Sequence, residues 1–268
     1  MRSTIAIPVT VHATPEALGR AIAQRVLGGI ERAAEENRPY LLGCPSGRSA
    51  KPVYAALGAL AGMTRFDLSR LVVVMMDEYM VDGPDGPVPC DPRAHFSCRR
   101  FAEQDIRAVL NTKLPGPRQV PAAAIWFPDP RRPEAYDRRI QDAGGIDLFL
   151  LASGASDGHV AFNPPGSPAE GGSGIVRLAE ETRRDNMETF PDFAAIAEVP
   201  RWGLTVGLGT IAGLSRAALM ILHGGHKRQA VQRLLESRDF EPDWPATILH
   251  RCRHPEIHLD AAAAQEAS

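Results

Sequence analysis

Cysteine is scarce in this 268-residue chain, and the four present, Cys44, Cys90, Cys98 and Cys252, include no C-x-x-C pair. That spacing suggests neither a disulfide framework nor a zinc ribbon, and the four read as ordinary thiols. No uninterrupted apolar stretch approaches the ~20 residues that a membrane span requires. The opening MRSTIAIPVTVHAT has no long apolar region ahead of a cleavage site, so no signal peptide is expected. An excess of charge of one sign is lacking too: 30 basic residues stand against 32 acidic ones, for a formal net charge of -2. The Lys and Arg residues are dispersed, so neither nucleic acid nor a membrane is an expected partner. What remains, 44% hydrophobic and 23% charged, is the composition of a globular cytoplasmic enzyme long enough to bury a sizeable core. His250, His254 and His258 recur at helical spacing, but Pro255 intervenes and PEIHLD reads as a strand, so no metal site is expected there.

Strand-like and helical runs alternate along the chain. IAIPVTV is followed by a helix over 15–36, PYLLGC by a helix over 51–61, and LVVVMM by a Gly/Pro-rich loop and a helix over 95–110. AIWF, a helix over 133–143, IDLFLLA, WGLTVGLG, AALMILHG, a helix over 227–235 and EIHLD complete the series, before an Ala-rich end that reads as a frayed helix. This is the pattern of an α/β fold with a doubly wound, largely parallel central sheet of Rossmann-like type, expected as a single domain over 1–268. Two segments carry much of the glycine and proline, 81–92 and 163–174. Long loops of this kind are commonly binding segments, and both are expected to close over substrate.

Two strands end in groups able to do chemistry. The run IDLFLLASGAS delivers Asp157-Gly158-His159, and LVVVMM breaks at Asp77-Glu78-Tyr79. In an open α/β sheet, ligands sit in the crevice outside the carboxyl ends of the strands, so polar groups there face substrate rather than core. Either segment alone would pass for a turn with a solvated acid or a surface histidine. Together they mark a candidate catalytic centre of Asp77, Asp157 and His159.

A third strand, PYLLGC, runs into Pro45-Ser46-Gly47-Arg48-Ser49 and then a helix near Lys51. Backbone N–H groups, hydroxyls and the positive end of a helix dipole would here meet an anion, although a plain helix cap by Ser46 or Ser49 uses the same residues. The Walker pattern is absent, so no nucleotide is implied. A fourth strand leads to Lys227 at the start of a helix, where a cation opposes the dipole and needs another reason to be there, such as a bound anion. Ser46, Gly47, Arg48, Ser49 and Lys227 are thus the candidate anion-binding residues.

In this order, GCPSGRSAKPVYAAL, VVVMMDEYM, DGHVAFNPP, WGLTVGLGTIAG and ILHGGHKRQAV resemble the family that holds glucosamine-6-phosphate deaminases and 6-phosphogluconolactonases. The resemblance covers most of the chain, and DEY, AFN and LTVGLGT are closer to the deaminase branch. It implies a reaction on a hexosamine or hexose phosphate with neither cofactor nor metal. It further implies that Asp77 is the base moving a proton between C2 and C1 of the opened sugar, and that Asp157 and His159 belong to the ring-opening apparatus. The oligomeric state stays open, homo-oligomers included.

Several positions depart from the family pattern. Pro164 stands where deaminases carry a Glu between Asn163 and Pro165, Arg48 replaces the second glycine of the phosphate loop, and a phosphate-binding Arg falls on Glu188. Arg48 could supply the missing guanidinium, since Arg matches phosphate geometry with paired hydrogen bonds. Arg183 and Arg184 read instead as solvated helix charges. The basic positions of the allosteric deaminases fall on Gly174 and Val176, so allosteric activation is not expected. The leading expectation is an aldose-ketose isomerase or deaminase. A lactone hydrolase, favoured by the lost Glu, and a catalytically silent sugar-phosphate sensor are the alternatives.

Overall fold

Within residues 7–265, which the computed structural model describes, the first elements are β1 (Val9–His12), α1 (Pro15–Glu35), β2 (Tyr40–Cys44), α2 (Lys51–Thr64) and β3 (Leu71–Met75). There follow β4 (Asp77–Gly83), β5 (Gly86–Pro89), and α3 (Cys98–Phe101), which continues through a π-helical turn over Ala102–Arg107 into α4 (Ala108–Asn111). Then come β6 (Ile125–Trp126), α5 (Glu134–Asp142), β7 (Leu148–Ala152), β8 (Gly174–Arg177), α6 (Glu180–Thr189) and β9 (Trp202–Thr205). The remainder is α7 (Leu208–Leu214), β10 (Ala218–Leu222), α8 (Arg228–Glu236), β11 (Pro255–Asp260) and α9 (Ala261–Ala264). Ile5 and Ala6 of the first strand-like run, and the last three residues of the Ala-rich end, lie outside the described residues.

Seven strands form one parallel sheet in the order β1-β11-β10-β7-β2-β3-β6. Successive side chains on a strand point to opposite faces, and both faces are buried along the inner strands β2, β3, β7 and β10, which is why these read as continuous apolar runs. Leu42, Val73, Leu150 and Ile221 pack with Leu18, Ile22 and Val26 of α1 and with Leu57 of α2. Leu41, Val74, Phe149 and Met220 pack on the other face with Ile140 of α5, Ile211 of α7 and Leu234 of α8. The doubly wound parallel sheet expected from the sequence is therefore the observed one.

A second sheet was not anticipated. Strands β5, β4, β9 and β8 pair antiparallel in that order, so much of 81–92, read as a loop, is the outer half of a hairpin. Only Met76 separates β3 from β4, and its carbonyl accepts from the Val206 N–H at 2.8 Å. One apolar run thus crosses from one sheet to the other. Tyr79, Cys90, Cys98, Phe162 and Leu178 form the small core that joins this second sheet to the first strand-end loops.

Other sequence readings also shift. The helix expected over 95–110 begins at Cys98, after a Ser97 cap whose hydroxyl accepts from the Arg99 and Arg100 N–H groups. Arg183 is not a solvated charge, because its guanidinium donates to the Val199 and Ile196 carbonyls; Arg184 pairs with Glu180 one turn away. The three C-terminal histidines go separate ways: His250 faces the Leu234 carbonyl at 3.1 Å, while His258 stacks on His12. His254 sits in a left-handed turn with φ of 43°.

Candidate active site

The strands adjacent at the centre of the parallel sheet, β10, β7, β2 and β3, all present their carboxyl ends at one edge. The segments leaving these four ends line a single cleft: Lys227 after β10, Ser153, Gly154, Ala155 and His159 after β7, Pro45 to Ser49 after β2, and Asp77 after β3. The sequence-predicted residues are brought together, with one distinction. Ser46, Gly47, Arg48, Ser49, Asp77, His159 and Lys227 line the cleft, whereas Asp157 stands behind His159. Neither 81–92 nor 163–174 contributes a lining residue, so the expected lids are not part of the wall.

The wall that sequence reading touched only at Glu188 is α6. Thr182 and Asn186 lie one turn apart on its buried face, and Asp185, Asn186, Glu188 and Thr189 line the cleft. Asp185 clamps this helix to the end of β7, accepting from the Ala155 N–H at 3.1 Å and the Ser156 hydroxyl at 3.0 Å. The family pattern touched this helix only at Glu188, and Thr182 and Asn186 at helical spacing have no apolar stripe to announce them.

Asp77 is 4% exposed, and its Oδ1 accepts from the Ser46 hydroxyl and the Cys98 thiol, each at 3.3 Å. Ser46 therefore serves the carboxylate rather than capping α2, whose N-terminal boundary residue is Ala50. Burial pushes the Asp77 carboxyl up to about 7, against the pull of the Cys98 and Ser46 donors and nearby His159. A carboxylate so placed ionises near neutral pH, where a general base is most effective.

Asp157 answers to different neighbours. Its Oδ1 accepts from His159 Nδ1 at 2.7 Å and from the His159 N–H at 3.1 Å, and its Oδ2 accepts from the Thr182 hydroxyl at 2.6 Å. Burial alone would raise its pKa, but the His159 hydrogen bonds and charge, with Thr182, outweigh burial and hold it at about 2. The pair fixes the imidazole with Nδ1 turned to Asp157, leaving Nε2 as the nitrogen for the cleft. Asp157, His159 and Asp185 carry ligand atoms within 4.8 Å of one another, the spacing of a cation site. Each already has hydrogen-bond partners: the imidazole and Thr182 for Asp157, and the 155–156 turn for Asp185.

In the turn after β2, Gly47 takes φ of 83°, a left-handed conformation that glycine adopts at little cost. Arg48 Nη2 lies 3.4 Å from the Glu188 carboxylate, and Lys227 Nζ donates to the Ser153 carbonyl at 2.7 Å. Burial lowers the Lys227 pKa and Arg48 adds to that, while Asp185 pulls the other way. Lys227 is the last residue of a short 3-10 turn, Gly225–Lys227, ahead of α8. The cleft thus holds two acid-base groups, Asp77 and His159, together with two cations, Arg48 and Lys227.

Comparison with known proteins agrees with this architecture. The family described as Glucosamine-6-phosphate isomerases/6-phosphogluconolactonase matches residues 13–258. A glucosamine-6-phosphate deaminase of Arthrobacter sp. (strain FB24) is 34% identical over 239 residues, 88% of this chain and 84% of that protein. One from Mycolicibacterium smegmatis is 32% identical over 265 residues, 96% of this chain and 91% of that protein. Among solved structures, a monomeric glucosamine-6-phosphate deaminase superposes with a TM-score of 0.79 at 25% identity, covering 96% of this chain and 99% of that one. A 6-phosphogluconolactonase from Trypanosoma brucei gives 0.66 at 23%, with 98% and 99% covered, and is a likeness of fold.

Proposed function

Because the chain belongs to the family of glucosamine-6-phosphate isomerases and 6-phosphogluconolactonases, we propose that it is an enzyme of the deaminase branch. It isomerises and deaminates a hexosamine phosphate, glucosamine 6-phosphate being the first candidate. The observation that carries this reading is the placing of Asp77 and His159 in one cleft with Arg48 and Lys227.

The chemistry comes from the groups present. Arg48, Lys227 and the backbone N–H groups of the 46–49 turn hold the phosphate. His159, oriented by Asp157, exchanges a proton with the ring oxygen so that C1 becomes a carbonyl. Asp77 then takes the C2 proton, whose bonding electrons form a C1–C2 double bond as the carbonyl oxygen is protonated. Return of the proton to C1 moves the double bond to C2 and nitrogen, giving an imine. Water adds to that imine and ammonia leaves, so the products are a ketose phosphate and ammonia. Proton transfer of this kind is worth roughly 10²–10⁴-fold.

Incubation with glucosamine 6-phosphate in deuterated water tests the reading. Ammonia release together with deuterium at C1 of the ketose supports it. Pro164, which can neither take nor give a proton, favours lactone hydrolysis as the second reading. Rapid opening of 6-phosphogluconolactone with no ammonia from the amino sugar would establish that one instead. Binding of both without turnover would point to a sensor.

A further inference from the structure

Cys98 does not behave as the ordinary thiol that its sequence context suggests. Its Sγ lies 3.3 Å from Asp77 Oδ1 and 3.4 Å from the Ser46 hydroxyl, which itself reaches the same Oδ1 at 3.3 Å. One carboxylate oxygen is therefore held by two donors. Among the described residues no hydrogen bond reaches Oδ2, which is left for a substrate proton.

The thiol is held in place from behind. Glu78, the neighbour of Asp77 on β4, is 3% exposed and turns to the start of α3. Its Oε1 accepts from the Cys98 N–H at 2.9 Å and the Tyr79 N–H at 2.8 Å, and its Oε2 accepts from the Arg99 N–H and the Ser97 hydroxyl, both at 3.0 Å. Five donors, counting the Cys90 thiol at 3.5 Å, fix this carboxylate. A carboxylate satisfied by backbone N–H groups ties the two elements together rigidly, because breaking it leaves a buried charge unpaired.

Resting on the assignment of Asp77 as base, we propose that Cys98 is a positioning residue for that base, its thiol donating to Asp77 Oδ1 and Glu78 fixing the helix start that aims it. Burial, with Asp77 and Glu78 beside it, raises the Cys98 pKa and keeps the thiol protonated, as a donor must be. The other groups acting on Asp77 are Ser46 from the β2 turn, Glu78 and Tyr79 on its own strand, His159 after β7 and Tyr54 on α2. Ser46, Cys98 and His159 favour the ionised carboxylate, whereas Glu78 opposes it. Removing the Cys98 donor must therefore raise the pH at which Asp77 ionises.

The test compares wild type, Cys98→Ala and Cys98→Ser by kcat/KM against pH on glucosamine 6-phosphate. Cys98→Ala is expected to move the acid limb up by about 0.5–1 pH unit, the effect of one lost hydrogen bond to a charged group, with the high-pH plateau within about threefold. Cys98→Ser, which restores a donor, should bring the limb back to wild type or below. A carbon-13 carboxyl titration, assigned with Asp77→Asn, reads the same shift without turnover. An equal loss at every pH with an unmoved limb and carboxyl titration, or a limb that Ser does not restore, would overturn the proposal. Full activity in Asp77→Asn would instead remove the base assignment on which it rests.

Discussion

Arg48 and Glu188 face each other across the mouth of the cleft, guanidinium to carboxylate at 3.4 Å, so an arriving phosphate must compete with a resident side chain for its guanidinium. The two side chains are 50% and 72% exposed, and an ion pair at such exposure is worth little more than about half a kcal/mol. Glu188→Gln is therefore expected to lower KM for sugar phosphates by roughly two- to fivefold with kcat unchanged. A raised KM would instead make Glu188 a substrate contact.

Lys227 offers the complementary case. Its ammonium is drawn into the cleft by the Ser153 carbonyl, and it sits at the N-terminal end of α8, where the dipole disfavours a cation. A bound anion relieves the cost of the dipole and that of burying the ammonium. Lys227→Ala should raise KM for a phosphorylated substrate by at least roughly tenfold, while residual turnover of the unphosphorylated sugar stays within about twofold. Equal effects on the two substrates would place the anion elsewhere.

Asp77 carries a stability signature as well as a catalytic one. Its pKa is about 7 in the folded protein against the usual 3.8, so between those values the folded protein binds a proton that the unfolded chain has lost. Stability attributable to this group falls as pH rises from about 4 through 7, by an amount on the order of a few kcal/mol. Asp77→Asn removes that pH dependence. The variant is expected to melt above wild type at pH 8, with the gap closing toward pH 4.5, while kcat/KM drops by roughly 10²–10⁴-fold. A variant less stable than wild type at pH 8 would contradict the burial argument.

The residues behind these expectations are legible in the sequence itself. Asp77, His159, Arg48 and Lys227 come after strands whose apolar runs are conspicuous because both faces of the parallel sheet are covered. The alternating βα order then places their carboxyl ends together. The second sheet was hidden for a local reason: LVVVMMDEYM reads as a strand and its end, yet the chain changes sheets at Met76 without a turn residue. The α6 wall and the Cys98 contact were hidden for another. Thr182 meets Asp157 across 25 residues, and Cys98 meets Asp77 across 21, and such separations leave no trace in local periodicity.

Asp157 has the opposite pH behaviour to Asp77. Held at about 2, it lends stability that is fully present above its ordinary range near 3.8 and is lost as pH falls through 2. The amount is on the order of 2 kcal/mol. Asp157→Asn should therefore lower the melting temperature at pH 7, with the deficit vanishing toward pH 2. It should also reduce kcat by roughly 10²-fold or more by releasing the imidazole. An unchanged kcat would show that the His159 orientation does not depend on its carboxylate.

Gly154 gives a steric test of the same pair. Its N–H donates to the His159 carbonyl at 2.7 Å, closing the 154–159 turn on itself. A Cβ there would land on His159 Nδ1 and Asp157 Oδ1, nearer than side-chain carbons approach other atoms. The backbone of the turn cannot retreat, because Asp185 holds Ala155 and Ser156 from α6. The imidazole must give way instead. Gly154→Ala is expected to keep its circular dichroism spectrum and lose about 1–3 kcal/mol of stability. Its kcat should fall as far as that of Asp157→Asn, and combining the two substitutions should add little, since both break one hydrogen bond. Independent, additive losses in the double variant would mean that Gly154 acts on something other than the Asp157–His159 contact.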